Sequence, residues 1–372
     1  DANFQTTIPF DYSHVFPKMM VHDDNLLTIT KSNNSYGIDD LSAVADLGEN
    51  IYIYSKASYQ KSGDQKMVGL MAWDGEEFIL MESNLDSLSG QYQILKPKDF
   101  DNDGDMDLFL GSGYLQGNYP NFSKHILAER LETNKFKFHT LEYDYAVQDV
   151  EWADLNEDTY PELLLTGHWQ SLSVFNNKQG RMDLIEMGNF FDNGNIVEAG
   201  FWNTIFVEDW NEDGKPDIFL GNLGTNTPFG KGPVKMIAKD IDGNNTIDPL
   251  VFFDYQRNGE MVPFDLKDEL IKQVPSLRKD YIDYTKFANV RLNDFKKDSD
   301  RIYEATELAS ILLISSTQGY KRLPLPEEVQ WAPVYVAEKV NDLLFLGGNS
   351  NFGREFWGSL NSSSGHWLRI EQ

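Results

Sequence analysis

Asp and Asn alternate in four nine-residue stretches of this 372-residue chain: DFDNDGDMD (Asp99 to Asp107), DLNEDTYPE (Asp154 to Glu162), DWNEDGKPD (Asp209 to Asp217) and DIDGNNTID (Asp240 to Asp248). Positions one, three, five and nine each offer a side-chain oxygen, the donor set that a hard divalent cation such as calcium takes. The side-chain ligands are Asp99, Asp101, Asp103 and Asp107; Asp154, Asn156, Asp158 and Glu162; Asp209, Asn211, Asp213 and Asp217; and Asp240, Asp242, Asn244 and Asp248. A backbone carbonyl at position seven, from Asp105, Tyr160, Lys215 and Thr246, completes each set. Up to four calcium ions are expected. Gly104 and Gly214 allow the tight turn at position six, and Asn245 tolerates left-handed backbone. Thr159 and the longer Glu162 rank the second loop below the first and third, and the loops at Asp99 and Asp209 are expected to bind best.

The elements that hold such loops follow from their flanks. An EF-hand would need helices and a bidentate Glu at position twelve. That position holds Leu110, Leu165, Leu220 and Val251, which excludes it. The flanking runs, such as Pro216 to Gly221, are short, β-branched or aromatic and closed by glycine, and predict strands.

The first three loops begin 55 residues apart, a period that implies stacked or radial units. Degenerate copies without the full ligand set lie at Val44 to Tyr54, around Asp46, and at Val334 to Gly348, around Glu338. Hairpin patterns follow at Gly69 to Leu80, Ser173 to Leu184 and Ile311 to Leu323. Two hairpins per unit make four strands. The expected fold is therefore all-β, a single β-propeller over 1–372 with four-stranded blades, seven of them, with six as the alternative. Residues 1–35, with Leu26 to Thr30 strand-like, are expected to complete or adjoin the circle. The fourth loop begins only 31 residues after the third, and 264–309 predict a partly helical insertion. Asp265 is the expected cap before Leu266, Leu270, Ile271 and Val274, with a second helical series at Ile302, Ala305 and Leu308.

Composition narrows the function. The formal net charge of −27 argues against nucleic acid, whose phosphates need clustered Lys and Arg. No apolar run reaches the roughly 18 residues of a transmembrane helix, and no signal peptide is visible, so the chain reads as a mature or excised portion. The absence of cysteine excludes disulfides and thiolate zinc sites, and fits export from a Gram-negative bacterium.

The loops resemble the FG-GAP and VCBS repeats of integrin-type propellers. The likeness extends to an ordered series: Gly221 to Phe229, Asp240 to Pro249, Asp268 to Lys279, Leu323 to Val334 and Gly347 to Asn349. That order, over roughly residues 40 to 372, resembles bacterial proteins related to cartilage acidic protein and the ASPIC/UnbV group, common in Bacteroidetes. The resemblance implies a calcium-loaded propeller at the cell surface or outer membrane, often lipid-anchored through its N-terminus. It supplies no activity, and the copies at Asp46 and Glu338 depart from it.

If the cation loops join first and second strands, the opposite connections form one face rich in aromatics and amides. Tyr114, Tyr119, His168, Trp169, Trp202, Asn222, Asn226, Trp331, Asn349, Arg354 and Trp357 are its expected binding residues, with Asn118, Phe229, Tyr36, Tyr143, Tyr145, Phe190, Phe191, Asn351 and Phe352 nearby. Such a face suits a protein partner at the cell surface, with a glycan as the alternative ligand. The six histidines show no zinc spacing, and there is no G-x-S-x-G elbow, Walker loop or Rossmann fingerprint. A non-catalytic binding scaffold is expected. The enzymatic alternative is a propeller-type polysaccharide lyase or hydrolase using His168, Tyr119 or Arg354.

Overall fold

The computed structural model describes residues 19–21, 27–31, 34–38, 41–56, 67–115, 118–185, 197–256, 258–316, 319–340, 343–350 and 365–369. Strands dominate them, and every sheet is antiparallel. β1 (Met19–Val21), β2 (Leu27–Lys31) and β3 (Asn34–Ile38) form a three-stranded sheet. Sheet I is β4 (Leu41–Asp46), β5 (Ile51–Lys56), β6 (Val68–Trp73) and β7 (Phe78–Met81). Sheet II is β8 (Ile94–Lys98), β9 (Asp107–Gly111), β10 (His125–Glu132) and β11 (Lys135–Leu141). Sheet III is β12 (Asp149–Ala153), β13 (Glu162–Thr166), β15 (Ser173–Lys178) and β16 (Arg181–Leu184). The short β14 (His168–Gln170) leaves sheet III and pairs with β17 (Gly200–Phe201). In sheet IV, β18 (Thr204–Glu208) and β19 (Asp217–Gly221) join β24 (Ile311–Ser316) and β25 (Gly319–Leu323). Sheet V is β26 (Val336–Val340), β27 (Leu343–Gly347) and β28 (His366–Arg369).

The second strands of sheets II, III and IV explain how the sheets pack. Asp107 to Gly111, Glu162 to Thr166 and Asp217 to Gly221 are buried throughout, so both faces of each strand are covered. Alternation along a strand sends neighbouring side chains to opposite faces. Leu108 and Leu110 pack with sheet I, while Phe109 packs with sheet III. Leu163 and Leu165 then face sheet II, and Leu164 faces sheet IV. Ile218 and Leu220 face sheet III, and Phe219 faces sheet V. The same parity in each repeat stacks the five sheets face to face in series. Polar ties follow between their first strands: Lys96 with Glu151, Thr204 Oγ1 donating to Asp149 at 2.8 Å, and Lys339 with Glu208 at 2.9 Å.

The fourth cation loop breaks the period because its sheet is nested inside sheet IV. Between β19 and β24 lie β20 (Val234–Lys239), β21 (Asp248–Phe253), β22 (Val262–Pro263), the helices α1 (Lys267–Gln273), α2 (Tyr284–Phe287) and α3 (Leu292–Phe295), and β23 (Ile302–Ala305). Their sheet runs in the order β22-β21-β20-β23. The insertion therefore spans about residues 222–310 rather than 264–309, and carries a sheet as well as helices. One face, Ile237, Leu250 and Phe252, packs on Leu270, Val274 and Phe295 of the helical stretch. The other, Val234, Met236 and Ala305, packs on Trp169 and Phe201.

Two local expectations are corrected here. Ile302 and Ala305 are not helical, because β23 pairs with β20 at Ile302↔Ile237 and Ala305↔Val234, and cross-strand partners override a weak three-residue periodicity. Leu266, not Asp265, occupies the cap position of α1, without a side-chain cap bond, and Asp265 is buried.

A fully buried histidine ties the end of sheet II to the next connection. His125 Nδ1 accepts the Ser112 N–H at 3.0 Å, and Nε2 lies 2.9 Å from the Tyr145 carbonyl. A carbonyl only accepts, so this arrangement requires the neutral imidazole with its proton on Nε2. Burial lowers its pKa from 6.5 to about 4, against the Tyr145 carbonyl, which raises it. The folded value lies below the unfolded one, so this contribution to stability is full above pH 6.5 and is lost as pH falls toward 4. Urea unfolding across that range should show a loss on the order of 3 kcal/mol from this group, absent from the slope of His125→Gln. Equal slopes for the two proteins would refute the assignment.

Candidate metal sites and a roofed aromatic cavity

All four acidic loops use one hydrogen-bond pattern. The position-one carboxylate accepts the position-six N–H: Asp99 from Gly104 at 3.0 Å, Asp154 from Thr159 at 2.9 Å, Asp209 from Gly214 at 2.8 Å and Asp240 from Asn245 at 2.8 Å. The position-five side chain accepts the position-seven N–H, fixing Asp105, Tyr160, Lys215 and Thr246 against Asp103, Asp158, Asp213 and Asn244. Position six is left-handed in every copy, with φ of 97° at Gly104, 78° at Thr159, 86° at Gly214 and 65° at Asn245. Threonine at that φ is strained, unlike the glycines of the first and third loops.

Position nine anchors each loop to its sheet. Asp107, Glu162, Asp217 and Asp248 are buried and accept the position-two N–H of Phe100, Leu155, Trp210 and Ile241. The other oxygen of Asp107 takes the Arg130 N–H on β10 at 2.7 Å, and that of Asp217 takes the Ser315 N–H on β24 at 2.6 Å. Burial raises all four carboxyls despite these donors, Asp107 to about 7.

Two loops gather three carboxylates. Oxygens of Asp99, Asp101 and Asp107 lie within 4.8 Å of one another, as do those of Asp240, Asp242 and Asp248, and either group could hold a metal ion. Asp99 Oδ1 and Asp242 Oδ1 are buried without a hydrogen-bond partner. A buried, unpaired carboxylate oxygen is costly, and a cation is the partner that fits both. The third loop, expected among the best, gathers no such triad. Its position three is Asn211, whose amide donates to Asp213 at 3.0 Å, while Ser315 Oγ donates to the same carboxylate at 3.0 Å. In the second loop the Asn156 amide donates to Glu162 at 2.9 Å.

A fifth turn with the same wiring was missed in the sequence. Asp254 accepts the Asn258 and Gly259 N–H groups at 3.0 and 2.8 Å, and Asn258 accepts that of Glu260 at 3.0 Å. Its position nine is Val262, so no anchoring carboxylate exists. The turn thus forms from Asp, Asn and Gly alone, and it is the convergence of position nine with one and three that makes a cation site.

The expected aromatic face is mostly built over. Trp202 is fully buried among Leu164, Val174 and Ile205, its Nε1 donating to the Glu198 carbonyl at 3.1 Å. Asn222 is a buried bracket, accepting the Phe201 and Leu223 N–H groups and donating to the Glu307 carbonyl. Trp169 is buried beneath the inserted sheet and donates to Tyr119 Oη; Tyr114 Oη donates to the His168 carbonyl at 3.2 Å. Tyr143 is bound to Gln170 and Ser173, and Tyr145 carries Arg301 over its ring at 4.9 Å. Asn226, Trp331 and Asn349 are exposed, with Asn226 donating to the Trp331 carbonyl. Arg354 and Trp357 lie outside the described residues, as do Phe190, Phe191, Asn351 and Phe352. Aromatic and amide residues at connections look alike in sequence whether water or an inserted sheet lies above them.

An open cleft of about 710 Å³ lies against the inserted sheet. Tyr119, His168, Trp169 and Phe201 line one side, and Asn244, Thr246 and Asp248 of the fourth loop and Phe264 with Asp265 line the other. Its His168 donates from Nε2 to Asn203 Oδ1 at 3.1 Å, and burial lowers its pKa, so the ring is neutral at pH 7. Since Trp169 is core here and not a platform, Trp169→Ala should cost about 3 kcal/mol, the low end for a buried Trp because the cleft already borders it. Denaturant unfolding checks this, and a loss below about 1 kcal/mol would return Trp169 to the surface.

Among the described residues no helix is long and apolar enough to cross a membrane. Compared with known proteins, the chain matches no family model, and no curated protein matches it.

Proposed function

We propose that this chain is a calcium-stabilised propeller of the FG-GAP/VCBS type, serving as a non-catalytic protein-binding scaffold or accessory subunit at the surface or outer membrane of a Gram-negative bacterium. The repeated stacking parity supports a radial arrangement of sheets I to V, with β1 to β3 as a further blade. Six blades then fit better than seven, because the sheet with the fourth loop is nested inside sheet IV and adds nothing to the circle. Calcium suits donor sets made of oxygen alone.

The observation that carries the partner reading is a pair of exposed aromatic residues just before sheet V, Trp331 and Tyr335, which lie outside its strands. Aromatic side chains left in water at one end of a fold mark protein interfaces. Affinity capture from solubilised native membranes, in calcium, should retain an outer-membrane protein on the wild-type chain. The double variant Trp331→Ala, Tyr335→Ala should lose that protein while melting within about 2 °C of wild type, since exposed positions contribute little to stability. Retention by the double variant would defeat this reading.

A further inference from the structure

We propose that the open edge of β7 in sheet I pairs with an extended segment of another protein, a short apolar run with lysine or arginine on each side. Sheet I runs in the order β4-β5-β6-β7, and among the described residues no strand and no backbone hydrogen bond lies beyond β7. Phe78 to Met81 is apolar throughout, and its two central side chains stand in water, Ile79 48% and Leu80 60% exposed. Neighbours along a strand point to opposite faces, so an added strand would find an apolar side chain on each.

The other outer strands show what β7 lacks. An unpaired strand invites a second one unless charge, proline or a covering group blocks it. β11 carries Lys135 and Lys137, β16 carries Arg181 and Asp183, and β25 carries Lys321 and Arg322. The edge of β11 is also capped: the Asn84 side chain accepts the Phe136 N–H at 2.9 Å and donates to its carbonyl at 2.6 Å. β7 has no charged residue and, among the described residues, no such cap.

Charge around the strand selects the occupant. Glu76 and Glu82 flank it, both exposed, and neither forms an ion pair among the described residues. A segment with cations at both ends would meet them in either direction of pairing. A second copy of β7 is a poor partner, because antiparallel pairing would bring Glu82 of one chain to the Glu76 end of the other, and like charges across a ladder repel. Main-chain hydrogen bonds supply affinity in such strand addition, and side chains supply selectivity. The proposal rests on neither calcium nor the Trp331 surface.

Fluorescence anisotropy of the full chain with labelled peptides tests it. The probe is a run of valine and isoleucine flanked by lysines; one control replaces the lysines by glutamates, and the other sets a proline in the middle of the run. The lysine-flanked peptide should bind about tenfold more tightly than the glutamate-flanked one, the margin of a few exposed charge pairs. The proline-interrupted peptide should not bind, since proline cannot donate to the ladder. Glu76→Lys with Glu82→Lys should reverse the preference between flanks, and Ile79→Ser with Leu80→Ser should weaken the lysine-flanked peptide about tenfold. The three peptides on the wild-type chain decide the matter even if a variant fails to fold. Equal affinity for the two flanks, binding of the proline-interrupted peptide, binding of no peptide, affinity unchanged by the serine pair, or a wild-type dimer that the serine pair dissolves would each overturn the proposal.

Discussion

Asp217→Ala should destabilise the protein by about 5 kcal/mol, the largest effect expected of a single substitution here. The carboxylate is fully buried and accepts two backbone N–H groups, Trp210 at 2.9 Å and Ser315 at 2.6 Å, from two different segments. Alanine would leave both donors buried with no acceptor, each costing about 1–3 kcal/mol, and would also cut the tie between the third loop and β24. Asp217→Asn keeps one acceptor oxygen but turns an amide NH2 toward the other donor, so about half the loss is expected. Asp254→Ala removes a position-one acceptor from the turn that lacks an anchor, and should cost only about 1 kcal/mol. Urea unfolding of the three variants gives the order directly. A loss under about 2 kcal/mol for Asp217→Ala would show that the loops hang from the sheets without holding them.

Removing divalent cations should lower the melting temperature by about 10 °C. At ion concentrations near a hundred times Kd, each occupied site contributes about 2.7 kcal/mol, and the triads at Asp99, Asp101, Asp107 and at Asp240, Asp242, Asp248 make two. Stripping the ions also leaves three carboxylate oxygens within 4.8 Å of one another and exposes the unpaired Oδ1 atoms of Asp99 and Asp242 to that repulsion. Asp101→Ala and Asp242→Ala should each remove about half of the calcium-dependent shift. Asp213→Ala should remove less, because that carboxylate is held by Asn211 and Ser315 in a loop without a third acid at position three. Scanning calorimetry with and without chelator measures all of these. A melting temperature indifferent to chelator and to Asp101→Ala would reject structural calcium.

The loops and the strands around them were legible because their causes are local. Ligand positions, a turn glycine and a short apolar run lie within a dozen residues, and the hairpins at Gly69 to Leu80 and Ser173 to Leu184 pair as their patterns suggest. The nested sheet was not legible, since Asn222 finds Ser310 across 88 residues and no short window contains both. The difference between the third loop and the two that gather three carboxylates was not legible for a related reason. Asn and Asp at position three count equally as oxygen donors in a sequence, but only the Asn211 amide can also donate, as it does to Asp213. Trp169, Trp202 and Asn222 read as binding groups because a connection's residues do not reveal what another segment lays over them.

The nesting of one sheet within another also sets a cost on the order in which the chain folds. Leu220 on β19 pairs with Ile311 on β24, and everything between must either be compact already or be dragged as a long loop. Closing a flexible loop of that length costs several times RT before any contact repays it, and slow pairing follows. An inserted sheet that collapses first on α1, through Leu250, Phe252 and Leu270, brings its own two ends together and shortens the search. The interval between synthesis of β19 and arrival of β24 is then the period in which the apolar edge of β19 stands open, and it is where misfolding and aggregation would begin.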